Sequence, residues 1–209
     1  MIRLLGALRR EMNGAVADGM YLYGRPYGLN YGVSLPTVRS IARAEGCDHD
    51  FARYLFRQQV RELRLAALHI ADPHRLDITE AAFWAEGITN SEAAEEAAFA
   101  LLSKSPSIKE IYGEWSCSDD EFTAYSALMA AARSIADDAS VIESVPTTVA
   151  RHCASRPVAQ GAVALLAAAC TSERMRACVM AALDSIRDMQ GSFAPEYITD
   201  EMSWRMDVR

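Results

Sequence analysis

The chain is predicted to be all-α, a right-handed-type solenoid of stacked antiparallel helix pairs. Three observations predict it. Apolar residues recur at helical spacing nearly throughout the 209 residues. Helix-capping residues and prolines punctuate that pattern at short intervals. Four Ala- and Leu-rich segments look alike: RELRLAALHI from Arg61, EAAEEAAFALL from Glu92, FTAYSALMAAA from Phe122 and QGAVALLAAA from Gln160. Each follows a shorter helical segment, and their starts lie about 30 to 40 residues apart, in the range of helical repeats. A short helix pair cannot bury its apolar face alone, so neighbouring pairs stack. A single compact bundle is the alternative, but many short helices with close connections fit stacked pairs better.

Taken in order, residues 2–17 form a first helix with Leu4, Leu5, Leu8, Met12, Ala15 and Val16 on one face. Residues 19–32 follow as the longest irregular stretch, with Tyr21, Tyr23, Tyr27 and Tyr31 set among Gly24, Gly28 and Gly32. It reads as a connecting loop with aromatic anchors, or as a stacking surface for bases or a peptide. Ser34 caps the next helix, with Pro36 in its first turn and Gly46 at its end. Asp48 caps another, which buries Phe51, Leu55 and Tyr54. In residues 60–71, Leu63, Ala66, Ala67 and Ile70 face inward, while Arg61, Glu62 and Arg64 face solvent. Asp72-Pro73 ends that helix.

Thr79 opens a short helix with Phe83 and Trp84, and Asn90 or Ser91 caps the one after it. Pro106 starts the helix of Ile108, Ile111, Tyr112 and Trp115. Ser118 and Glu121 have the spacing of a capping box, opening a helix with Ala124, Ala127, Ala130 and Ala131 on one face. Residues 141–154 are helical, bent or broken at Pro146. Residues 157–170 form a very apolar helix and residues 172–189 the last long one. The expected organisation is one helical-repeat domain over 1–190 and a C-terminal tail over 191–209, where periodicity is weak.

Composition narrows the function. Net charge is −7, yet residues 1–75 carry 11 Arg against 7 acids. Duplex binding needs a basic stripe that displaces counterions, and this segment supplies one through Arg39, Arg43, Arg53, Arg57, Arg61 and Arg64. Solvated helix faces are the plainer explanation of the same residues. Five cysteines form no CxxC pair, which predicts reduced thiols, no metal site and no cofactor. The longest apolar run, residues 162–170, is too short to span a bilayer. Arg9, Arg10 and Glu11 interrupt any signal-peptide core, so a cytoplasmic location is expected. There is no phosphate loop, nucleophile elbow or zinc spacing to suggest an unrelated enzyme.

Four motifs carry a resemblance to the HEAT-like-repeat DNA alkylation repair family. They are YGVSLPTVRSIAR from Tyr31, VRELRLAALHIAD from Val60, ITNSEAAEEAA from Ile88 and WSCSDDEFTAYSALMAAAR from Trp115, together spanning about residues 19–133. The resemblance implies a HEAT-like or ARM-like repeat fold, duplex DNA as partner, and excision of alkylated, cationic purines. Enzymes of that family place Trp-Trp-Asp and then a second Asp in the third motif. Carboxylates there stabilise positive charge building on the sugar, and aromatic faces attract the cationic base.

Here Glu92 and Ala93 stand at the aromatic positions, and Ala94 and Ala97 at the Asp positions. No catalytic residue carries over, and whether the chain is an enzyme stays open. Glu92, Glu95 and Glu96 share a helical arc and are the displaced carboxylate candidates. Trp84, Trp115 and Tyr27 are the aromatic candidates. The plain reading of the arc is solvated first-turn glutamates favoured by the helix dipole, for which Glu92→Ala with Glu95→Ala would leave folding intact. The expected function is that of a diverged alkylation-repair-family protein that binds DNA without glycosylase chemistry. The alternative is a non-catalytic scaffold with a protein or peptide in its concave groove.

Overall fold

The computed structural model describes residues 1–22, 28–189 and 191–207. Among them lie thirteen α-helices and three short 3-10 turns, with a single isolated parallel bridge between Leu29 and Val60. The all-α class is as the sequence predicts. Contacts divide the chain into two compact units, Met1–Leu101 and Leu102–Arg209.

The first unit holds α1 (Ile2–Arg10), α2 (Gly14–Leu22), α3 (Leu35–Glu45), α4 (His49–Phe56), α5 (Arg61–Ile70), α6 (Ile78–Ala85) and α7 (Ser91–Ala100). Helices α1, α3, α5 and α7 pack side by side in that order, and α4 lies against α5. Alanines make the close approach possible: Ala66, Ala67, Ala94, Ala97 and Ala98 are all buried between these helices. The second unit holds α8 (Ile108–Trp115), α9 (Glu121–Ser134), α10 (Ala139–Arg151), α11 (Arg156–Ala169), α12 (Arg176–Arg187) and α13 (Phe193–Asp207). There α9, α11 and α13 form one layer, and α8, α10 and α12 cover it. All four Ala-rich segments found in the sequence are therefore layer-forming helices, namely α5, α7, α9 and α11.

Several local expectations need correction. The first helix is two helices. Asn13 breaks it: its side chain accepts the Val16 N–H at 3.2 Å, and its own N–H donates to the Tyr31 carbonyl at 2.9 Å. Met12 and Val16, expected on the buried face, are exposed as a result. Tyr54 is also exposed. The capping box at Ser118 does not form. Asp120 is the N-cap and accepts the Thr123 N–H at 2.7 Å, while Glu121 accepts from the Ser155 hydroxyl. Helix α10 runs through Pro146 unbroken. Residues 191–209, expected as a tail, contain α13, which packs on α11 and α12 through buried Ala194, Ile198 and Met202.

Segment 28–33 is what places the candidate site. Leu29 N–H donates to the Gln59 carbonyl at 2.8 Å, and Arg61 N–H donates back to the Leu29 carbonyl at 2.9 Å. Gly32 has φ +68°, and a Cβ built there would lie 2.1 Å from the Asn13 carbonyl oxygen. Only glycine meets both demands. Gly32→Ala is expected to cost at least about 2 kcal/mol, from the left-handed backbone alone plus the clash. Urea denaturation reads it, and an unchanged midpoint would show that the backbone reaches this turn another way.

Candidate functional site

Two of the three glutamates of the arc on α7, Glu92 and Glu96, are engaged within the protein rather than solvated. Arg61, from the first turn of α5, extends to the arc and lies almost fully buried, with 1% of its side chain exposed. Its Nε and Nη2 donate to the two oxygens of Glu92 at 2.7 and 2.6 Å, a two-pronged contact. Its Nη1 donates to Glu62 at 3.0 Å and to the Val33 carbonyl at 2.9 Å. Glu62 is wholly buried and also accepts the backbone N–H groups of Tyr31 and Val33, at 3.1 and 3.2 Å. The solvent-facing assignment of Arg61 and Glu62 is thus overturned: each neutralises the other, and the turn at 31–33 takes up their remaining hydrogen-bonding capacity.

One turn along α7, Glu96 is equally engaged. Arg39 on α3 donates Nε to it at 3.0 Å and makes a second, shorter contact through Nη2. His69 on α5 donates Nε2–H to the same carboxylate at 2.7 Å. The Arg39 guanidinium lies 5.0 Å from the Phe99 ring centroid. Burial pushes the Glu96 carboxyl up, but the hydrogen bonds from His69 and Arg39 and the Arg39 charge outweigh it and hold the carboxyl at about 2. Glu95 is exposed.

A second cluster of the same make-up joins α4 to α6. Arg53 pairs with Glu80, and His49 Nε2–H donates to Glu80 at 3.0 Å. The Asp72 N–H donates to His49 Nδ1 at 3.3 Å, which orients the ring with Nε2 toward Glu80. Trp84 Nε1–H donates to Glu80 at 3.1 Å. Arg53 and Arg57 both lie over the Phe83 ring, at 4.2 and 5.3 Å.

These contacts sort the residues singled out in the sequence. Arg39 and Arg61 are tied to acids. Arg43 and Arg57 are exposed, and Arg64 is half-buried, its Nε donating to the Gln58 carbonyl at 3.0 Å. Trp84 and Trp115 are buried and offer solvent no stacking face. Tyr27 lies outside the described residues. Ala93, Ala94 and Ala97 are buried. Sequence reasoning missed His49, His69 and Glu80. One signal was available: Arg61 and His69 lie two turns apart on α5, and Glu92 and Glu96 lie on one stripe of α7, so a stripe of donors faces a stripe of acceptors on adjacent helices.

The family model of the DNA alkylation repair enzyme matches residues 4–156, well over half of the chain. The protein belongs to the DNA alkylation repair family. One solved structure shares its fold, with a TM-score of 0.74 at 16% identity over 97% of this chain and 93% of the other. It is described as representing a new family of proteins related to the HEAT-like repeat DNA glycosylases, with affinity for branched DNA structures. Among curated proteins there is no match to the chain. The helix pairs of this alkylation repair family member are thus of the HEAT-like-repeat kind.

Two outcomes follow from the engagement of Glu92 and Glu96. Glu92→Ala strips the buried Arg61 of its two-pronged partner and is expected to destabilise the protein by about 3 kcal/mol, whereas Glu95→Ala stays within about 0.5 kcal/mol. Equal midpoints in chemical denaturation would refute this and restore the solvated reading. The second outcome concerns pH. The folded Glu96 carboxyl is held at about 2 against an ordinary 4.5, so its contribution is complete above pH 4.5 and lost as pH falls toward 2. Its size is on the order of 3 kcal/mol. Wild type should therefore lose more stability than Glu96→Gln across that window, and parallel pH profiles would count against the assignment.

Proposed function

We propose that this protein is a DNA-binding member of the alkylation repair family that does not excise bases. The observation that carries this reading is the engagement of Glu92 and Glu96. A carboxylate that stabilises an oxocarbenium-like sugar must face the substrate, and both of these face arginines within the protein. Buried Ala93, Ala94 and Ala97 supply neither an aromatic face nor a second carboxylate. With Arg39 and Arg61 neutralised internally, Arg43, Arg57 and Arg64 are the arginines of the basic N-terminal stretch proposed to meet phosphate. The related fold with affinity for branched DNA supports a junction or fork as the preferred form.

A second reading, a protein-binding scaffold, draws on the C-terminal unit. A groove of about 380 Å³ there is lined by Ala167, Met180, Met202, Trp204 and Met206, with Trp204 74% exposed. Such apolar surface suits a protein partner.

One set of measurements separates the two. Purified protein should bind a four-way DNA junction more tightly than linear duplex, weaken steeply with salt, and release no 3-methyladenine or 7-methylguanine from alkylated duplex. Base release would overturn the non-catalytic reading. Absence of any salt-sensitive DNA binding, together with a protein recovered in pull-down that is lost in Trp204→Ala, would favour the scaffold.

A further inference from the structure

Arg64 breaks the rule that governs the other buried or half-buried arginines of α3, α4 and α5. Arg39, Arg53 and Arg61 each pair with a glutamate. Arg64 sits one turn beyond Arg61 on the same helix, partly buried, and no carboxylate among the described residues lies within ion-pairing distance of it. The glutamates that meet α5 at its first turn, Glu62 and Glu92, both serve Arg61. Burial pulls the Arg64 guanidinium below its ordinary range, the direction expected of a cation removed from water without a counter-charge.

The side chain is nevertheless held in place. Its Nε–H is anchored on the Gln58 carbonyl at 3.0 Å, and no carboxylate among the described residues pairs with its two Nη groups. The turn that carries this carbonyl is itself pinned, because the neighbouring Gln59 carbonyl accepts the Leu29 N–H. Gly28 is so close that a Cβ there would lie 2.6 Å from the Gln59 oxygen. Arg57 stands at the start of the same turn, exposed and resting over Phe83. Two guanidiniums without acidic partners among the described residues thus flank the α4–α5 turn, Arg57 at its start and Arg64 on α5 beyond its end, and each is a donor for an anion with several acceptor oxygens.

We infer that the α4–α5 turn, through Arg64 and Arg57, is a contact site for the backbone phosphates of bound DNA. This rests on the DNA-binding reading proposed above, and it assigns the electrostatic part of that binding to two arginines rather than to net charge. Arg39 and Arg61 are excluded from it, being structural.

The test measures affinity for a four-way junction by fluorescence anisotropy over a range of salt. Each lost phosphate contact lowers the slope of log affinity against log salt by about 0.9. Arg64→Gln and Arg57→Gln are each expected to reduce the slope by about that amount and to weaken binding about tenfold. Arg156→Gln, an exposed arginine of the second unit, is the control and should leave the slope unchanged. Arg57 lies at the surface, so its variant folds normally, and it keeps the test decisive if Arg64→Gln is unstable. Wild-type slopes in both variants, or an equal loss in Arg156→Gln, would overturn the site while leaving DNA binding intact. A wild-type protein that binds neither junction nor duplex would overturn the DNA reading and this site together.

Discussion

The buried guanidinium of Arg61 is the constraint around which the first unit is arranged. Leaving such a charge unmatched in an apolar interior costs several kcal/mol, so the surrounding chain must bring oxygens to it. Glu62 comes from the same helix, Glu92 from α7, and the Val33 carbonyl from the turn before α3. Three separate stretches of sequence are thereby held at fixed distances. The turn at 31–33 depends on this most directly, because its N–H groups lie on Glu62 and its path requires Gly32.

The chemistry of that junction is echoed, with variation, elsewhere in the same unit. Arg39, His69, Glu96 and Phe99 link α3, α5 and α7 in the layer of Ala-rich helices. Arg53, His49, Glu80 and Phe83 link α4 and α6. In both, a glutamate accepts from a histidine and an arginine, and the arginine lies against an aromatic ring. Apolar packing brings neighbouring helices together without fixing their register, whereas a glutamate with two directional donors fixes it. The alanine layer and the polar clusters thus do separate jobs.

Much of the fold was legible in the sequence because its signals are local. Ser34 and Asp48 cap the helices they were expected to cap, and of the two candidates Asn90 and Ser91 it is Asn90 that caps α7, since a side-chain oxygen and an amide three residues away are all the motif needs. The alanine stripes identified the layer-forming helices for the same reason. What escaped was non-local. The break at Asn13 depends on the Tyr31 carbonyl, 18 residues on, and the burial of Arg61 depends on Glu92, 31 residues on. A helical wheel assigns charged residues to solvent, and it cannot register that two charges from different helices cancel. The glutamates of α7 stood out in the sequence, but the pairing of Glu92 and Glu96 with residues of α3 and α5 did not.

The two-pronged hold of Glu92 on Arg61 also makes positions 61 and 92 answerable to each other. An aromatic residue at position 92 would orphan the guanidinium beneath it. Such pairwise dependence works as a ratchet: the scaffold is locked against exchange at either position alone, and an engineer reshaping this face of α7 would have to begin with Arg61.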